Sequence, residues 1–234
     1  MPDTMIASPS VADDRFEYPY EQKEMQSDKH AHIFMSFGTM LMELFKDVPD
    51  AHVGGDQAFY WTPRVIADVI VPDAHVLRGV DKSPRDSIRL FEERDKFPDF
   101  RIAFVMEIWS KDNPMRERYA KYDRYRRLGA SEYLEYDAKT DELVLHRLGE
   151  DGFYQIVEPN DYRRLYSKEL NVELVYEDGL IRFYRDNQRI PTVAEAQAAL
   201  LAKDAALLEK DAALKAAQLE IERLKAALAE KQTK

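Results

Sequence analysis

Asp73 and Glu107 are carboxylates in places where a carboxylate is expensive. Pro72-Asp73 puts the first within or at the end of the extended run ADVIVPDAHVL, and Glu107 is the one acid in RIAFVMEIW, an almost continuously apolar stretch of strand length. An ionised acid in such surroundings needs a metal, a proton or a cation to answer it. Lys121 supplies a cation. In helical projection it falls between Tyr125 and Leu128, on the inward edge of a tyrosine stripe where lysine is seldom found unpaired. Two carboxylates converging from adjacent strands offer the hard oxygen ligands that Mg²⁺ takes, with Mn²⁺ as a substitute, and leave coordination positions for water and a phosphate oxygen. The metal would polarise the phosphoryl group and acidify the water, while the lysine would orient that water or offset charge in the transition state. Hydrolysis of a phosphodiester fits this set.

Bringing the three together takes strands side by side and a helix laid over them. Ser27 or Asp28 is placed to cap a helix in which Ile33, Phe37, Met40, Leu41 and Leu44 recur at three or four, ending near Lys46. HVGGDQAFYW at 52 to 61 and ADVIVPDAHVL at 67 to 77 read as neighbouring strands broken by Gly or Pro, and the charged segment containing DKSPRDS reads as loop. The run at 101 to 109 has the look of a strand covered on both faces. After the turn SKDNP, the segment MRERYAKYDRYRRLG predicts a helix with Met115, Tyr119, Tyr122, Tyr125 and Leu128 on one face, closed by Gly129. Alternating strands follow at 131 to 137 and 142 to 148, with shorter ones at 153 to 157, 172 to 177 and 180 to 185. Helix, strands, helix, strands is the order of an α/β protein with a mixed sheet, not of a repeated βαβ unit.

The length, 234 residues, allows one sizeable core and an appended element. Residues 1 to 25 read as a flexible arm, 26 to 190 as the domain and 191 to 234 as a C-terminal helix. The absence of cysteine excludes disulfides, zinc-thiolate sites and thiol nucleophiles, and suits a reducing interior. With no membrane-length apolar run and no secretory pattern at the start, the cytoplasm is the expected address. A net charge of -10 argues against gripping nucleic acid by bulk electrostatics. The charge is uneven, however: residues 1 to 28 hold seven acids and two bases, whereas Arg116 to Arg127 hold six bases and two acids. That basic run reads as a solvated helix face, and its closeness to Lys121 would suit steering of a phosphate backbone.

From Thr192 the composition turns to Ala, Leu, Lys and Glu, and Leu200, Leu207, Leu214, Ile221 and Leu228 stand seven apart. The companion seam is good only late, at Ala217 and Leu224, so a self-pairing helix and a solvated single helix both stay open. Asp56 in Gly54-Gly55-Asp56 is placed either to approach the acids or simply to turn a hairpin. His30 and His32 read as capping or packing residues, and Trp61 and Trp109 as core or site-wall aromatics.

The segments SDKHAHI, HVGGDQAFYW, VPDAHVLRGV, FVMEIWSKD and KYDRYRRLGASEYLEYD together resemble the Uma-type putative restriction endonuclease family, a branch of the PD-(D/E)XK nuclease superfamily. The resemblance spans residues 15 to 190, and an Ala-, Leu- and Glu-rich tail is similar to what many members carry. It implies a restriction-endonuclease-like core with flanking helices, catalytic acids at Asp73 and Glu107, and the lysine at Lys121, since the family generally moves it from the strand to this helix. Trp109 stands where the superfamily signature has lysine, so the chemistry would rest on Lys121 or, less plausibly, on Lys111. Glu117 stands for the usual aspartate four residues ahead of the lysine, and Ala130 for the usual valine.

The expectation is therefore a Mg²⁺-dependent endonuclease acting on DNA, able to dimerise with a second copy through residues 192 to 234. Two other readings stay open: a nuclease-fold binding or regulatory module without activity, and an assembly protein whose tail is the working part. Cleavage that depends on Asp73 separates the first, and deletion of residues 192 to 234 separates the second.

Overall fold

The computed structural model describes residues 28–65, 67–110 and 113–232. In chain order the elements are α1 (Asp28–Leu44), β1 (Ala51–Gly54), β2 (Phe59–Tyr60), β3 (Val69–Ile70), β4 (Ala74–Arg78), β5 (Ile88–Arg89), α2 (Leu90–Lys96), β6 (Arg101–Trp109), α3 (Met115–Leu128), β7 (Glu132–Asp137), β8 (Glu142–Leu148) and β9 (Tyr154–Ile156). There follow β10 (Leu165–Ser167), β11 (Val172–Glu177), β12 (Leu180–Arg185), β13 (Gln188–Ile190) and α4 (Val193–Gln232). This is the mixed α/β class that the order of patterns predicts. The arm, Ser27 and Lys111 lie outside the described residues.

A six-stranded sheet in the order β1-β4-β6-β7-β8-β9 carries the site. Its pairings are antiparallel except for β6 with β7, which run parallel across the α3 connection. Central β6 is buried on both faces after its first residue, which is why its sequence does not alternate. One face meets α1, where Phe37 stacks on Phe104 with ring centroids 6.0 Å apart. The other face meets α3: Val105, Tyr125 and Tyr133 belong to one buried cluster with Leu77 and Ile102. Each such large apolar side chain removed from water contributes about 1.5–3 kcal/mol.

A four-stranded antiparallel sheet, β10-β11-β12-β13, packs against α1 through Phe183, whose ring meets Phe37 edge-on at 5.2 Å. A third, small sheet joins β3, β2 and β5. One compact unit ends at Arg189 and a second begins at Ile190. In the second, α4 leaves Leu200, Leu207, Leu214, Ile221 and Leu228 each more than half exposed. Among the described residues no helix is long and apolar enough to cross a membrane.

Several elements differ from the sequence reading, each for a local reason. The run at 67 to 77 is two strands, because Pro72 lacks the N–H a ladder needs and the chain changes partner there, from β2 to β4's neighbours β1 and β6. The run at 52 to 61 likewise divides into β1 and β2 around the Gly-Gly-Asp turn. Short α2, β10 and β13 have too few residues to show a period. On α3 the inward stripe is not the expected one: Met115 is 58% and Tyr119 67% exposed. Arg118 takes the inward place instead, bonding Asp137 and the carbonyl of Ser110 with its guanidinium 5.3 Å from the Trp109 ring, so the helix is rotated toward Arg118, Lys121 and Tyr125.

Candidate active site

Asp73 sits where the sheet loses a strand. Beyond Met106, β6 runs past the start of β4, and the N–H of Ile108 would be left without a ladder partner. The Asp73 carboxylate takes it, accepting that N–H on Oδ2 at 2.6 Å, while the Asp73 N–H donates to the carbonyl of Met106 at 3.0 Å. The Gly-Gly-Asp turn passes close by. The Asp56 N–H donates to the carbonyl of Pro72 at 3.0 Å, and a Cβ on Gly55 would lie 2.4 Å from the carbonyl oxygen of Asp73, so only glycine fits there. Of the two readings of Asp56, the turn accounts for its backbone.

Glu107 faces α3 from the middle of the buried strand. Lys121 Nζ donates to Oε1 and Oε2 at 3.0 Å each and to the carbonyl of Val71 at 3.1 Å. The Tyr125 hydroxyl donates to Oε1 at 2.6 Å. Asp73 and Glu107 are each 1% exposed. They share one environment: the Tyr125 hydroxyl is pushed well above its usual value, first by burial, then by the charge and hydrogen bond of Glu107, with the Asp73 charge contributing. Lys121 and Glu107 are thus joined directly, while Asp73 is tied to the next residue of β6, Ile108, and reaches the pair through its charge on Tyr125.

What lets α3 deliver Lys121 and Tyr125 to Glu107 is its exit. Gly129, in the left-handed conformation, closes the helix with its N–H on Arg126, and the Ala130 N–H bonds the carbonyl of Tyr125. Ser131 then joins β6 through the carbonyl of Ile102, which fixes helix against sheet.

Other residues at the site were not singled out as functional. The Tyr125 hydroxyl is one, hidden in an apolar stripe that gives the ring a sufficient reason to be there. His30, on the first turn of α1, lies with Nε2 3.8 Å from Asp73 Oδ1, which gives its expected packing role a specific partner. Beside Glu107 in the parallel register stands Glu135, which accepts from the Trp109 indole at 2.8 Å and pairs with His146 Nε2 at 2.7 Å. Trp109 therefore walls the site, and its ring lies 5.8 Å from Lys121 Nζ. A cleft of about 720 Å³ opens elsewhere, lined by residues such as Leu143, Ile156, Tyr162 and Tyr176, and holds none of these groups.

The donor set suits a hard divalent ion. Asp73 and Glu107 offer oxygen alone, and of their two negative charges the Lys121 ammonium offsets one. Among the described residues no three His, Cys, Asp or Glu side chains are arranged to hold a metal.

His75, one strand position beyond Ala74, is fully buried, and among the described residues neither ring nitrogen has a hydrogen-bond partner. Burial, with positive neighbours His52 and Arg85, holds its pKa well below 6.5. On unfolding it regains an ordinary value, so below pH 6.5 the unfolded chain binds a proton that the folded chain does not. Stability therefore falls as pH drops, by about 1.4 kcal/mol per unit from this residue, until the folded pKa is reached. Guanidinium unfolding at pH 7.5 and 5.5 should show a smaller loss in His75→Leu than in the natural chain. An equal loss in both would mean His75 is already protonated when folded.

A family model described as "Putative restriction endonuclease" (Uma2) matches residues 5–179. No curated protein matches the chain. Three chains of known structure match. One is a crystal structure of a putative nuclease belonging to DUF820 from Anabaena variabilis ATCC 29413, at 15% identity and TM-score 0.44, covering 60% of this chain and 73% of that one. With its acids and lysine in the order described and well over half its length matched, the chain belongs to the Uma2 family of putative restriction endonucleases.

Proposed function

We propose that this protein is a divalent-metal-dependent endonuclease that hydrolyses phosphodiester bonds of DNA, with Asp73 and Glu107 holding Mg²⁺ or Mn²⁺ and Lys121 assisting the attacking water. The observation that supports it most is the meeting of Lys121 with both oxygens of Glu107 beside the backbone-anchored Asp73. A bound divalent ion would polarise the phosphoryl oxygen and lower the pKa of the water. The chain's own residues have separate tasks. The Ile108 N–H fixes Asp73, the Tyr125 hydroxyl fixes Glu107, and the Lys121 ammonium orients water or offsets charge developing on the phosphate. Arg116 and Arg127, exposed on α3, give an acidic protein a local place to meet a phosphate backbone. On this reading the protein works in the cytoplasm, which its cysteine-free composition suits.

The experiment is a cleavage assay on plasmid and single-stranded substrates with Mg²⁺, Mn²⁺ or EDTA. Cutting that EDTA abolishes is expected, and cutting indifferent to EDTA would end the metal reading. A second reading, binding without cleavage, draws on the near-complete burial of both carboxylates and on Trp109 in place of the signature lysine. It predicts retention of DNA in a gel with little response to Mg²⁺ and no product.

We further infer that α4 pairs two copies, since leucines repeating at seven stand exposed along it. Sedimentation should give a dimer for the full chain and a monomer without residues 192–234. A monomer in both cases removes the tail from the argument.

A further inference from the structure

Glu107 already carries a cation. The Lys121 ammonium spans its two oxygens at equal distance, 3.0 Å, with a third bond to the carbonyl of Val71. A divalent ion taking Glu107 as ligand needs lone pairs that this ammonium faces. An ion held on those oxygens would share them with Nζ, and like charges in a partly desolvated site repel strongly.

Lys121 and Tyr125, which both bond Glu107, differ in how easily they can leave. Tyr125 is fully buried, its ring packed among Val105, Ile102 and Tyr133. Lys121 is on a flexible four-carbon stem at the helix edge, its side chain 17% exposed, and the Trp109 ring 5.8 Å from Nζ offers a face for the ammonium. We propose that Lys121 is the resident counter-ion of Glu107 in the metal-free protein and that a divalent ion binds by displacing it, while Tyr125 keeps hold of Oε1. The inference rests on the metal-dependent reading above and adds to it a linkage: metal occupancy frees the ammonium beside the position where water and phosphate would sit. Because linkage is reciprocal, whatever holds Lys121 on Glu107 weakens the metal by the same factor.

The test uses the full chain and Mn²⁺ alone, without nucleic acid, by calorimetric titration. Lys121→Met should bind Mn²⁺ about tenfold more tightly than the natural chain. Lys121→Arg, which keeps a cation on the carboxylate, should bind no more tightly. On the natural chain, acylation of the Lys121 amine followed by mass spectrometry should speed up as Mn²⁺ saturates the site. This second measurement decides the matter if Lys121→Met does not fold. Equal or weaker binding by folded Lys121→Met, or flat labelling across saturation, overturns the displacement and leaves the metal site standing. If neither the natural chain nor Lys121→Met takes up Mn²⁺, the displacement falls together with the metal reading.

Discussion

Asp73→Asn and Glu107→Gln should each lower metal-dependent DNA cleavage by at least about 10²–10³-fold, the range seen when one charge-stabilising group is removed from a reacting centre, with the fold kept. Asparagine's amide oxygen can still accept the Ile108 N–H that Oδ2 accepts now, so the open edge of β6 stays capped. Glutamine fills the volume of Glu107, and its carbonyl oxygen can still accept from the Tyr125 hydroxyl. What each change removes is a charge and a hard ligand, not a packing unit. Circular dichroism and an unfolding curve close to those of the natural chain, beside lost cleavage, give the expected result. Lys121→Ala belongs to the same series in its loss of cleavage; its stem is at the helix edge and its loss opens no core cavity, but it leaves the buried Glu107 without its ammonium, so its unfolding curve should move to lower stability. Cleavage at the natural rate in all three variants would mean that a contaminant cuts. Cleavage lost only in Lys121→Ala would mean that the carboxylates serve the fold alone.

The parts of this site legible in the sequence are those where a residue contradicts its surroundings. Glu107 in an apolar strand and Lys121 on an inward helix edge are such contradictions, and they meet. Asp73 was visible as an acid after a proline, but its bond to Ile108 was not, since it depends on where β4 starts relative to β6. Residues that agree with their surroundings hide their second task. Tyr125 fits an apolar stripe, and nothing in its position along α3 says that the hydroxyl ends on a carboxylate. The rotation of α3 was misread for the same reason: Met115 and Tyr119 have the right chemistry for a core face, whereas the helix is set by Arg118 reaching Asp137 and Ser110 beyond the end of the apolar sheet. In both cases the deciding partner is distant in the chain, and single-chain periodicity reports only neighbours.

Periodicity is equally silent on a structural joint of the domain built on Glu132, where the expected effect is on stability. Glu132 opens β7 and is 1% exposed. Its carboxylate accepts from Arg147 Nε at 3.0 Å, from the Lys168 and Glu169 N–H groups at 3.0 and 3.3 Å, and from the Ser167 hydroxyl. One side chain thus ties the six-stranded sheet to the end of β10, across a sequence gap that no periodicity reveals. Glu132→Ala takes the acceptor from two backbone donors, the Ser167 hydroxyl and Arg147 Nε, although Arg147 Nη2 keeps the Tyr166 carbonyl, and breaking such a pair costs up to about 3–5 kcal/mol. For a domain of this size that is a fall in Tm on the order of 10 °C. Replacing Arg147 as well, in Glu132→Leu/Arg147→Met, should recover part of the loss, because removing both partners spares the uncompensated charge. Calorimetry on the two variants measures both numbers. A loss under about 1 kcal/mol for Glu132→Ala, within the range of an exposed pair, would mean that water reaches the carboxylate and that other contacts between the sheets, among them Arg147 on the Tyr166 carbonyl and the Tyr136–Tyr176 ring pair, hold the joint. If the natural chain cuts DNA as proposed, the variant should cut it too below the lowered Tm, since the bonds that hold Glu132 go to Arg147 and the end of β10, and that separation of stability from chemistry distinguishes the joint from the proposed reactive centre.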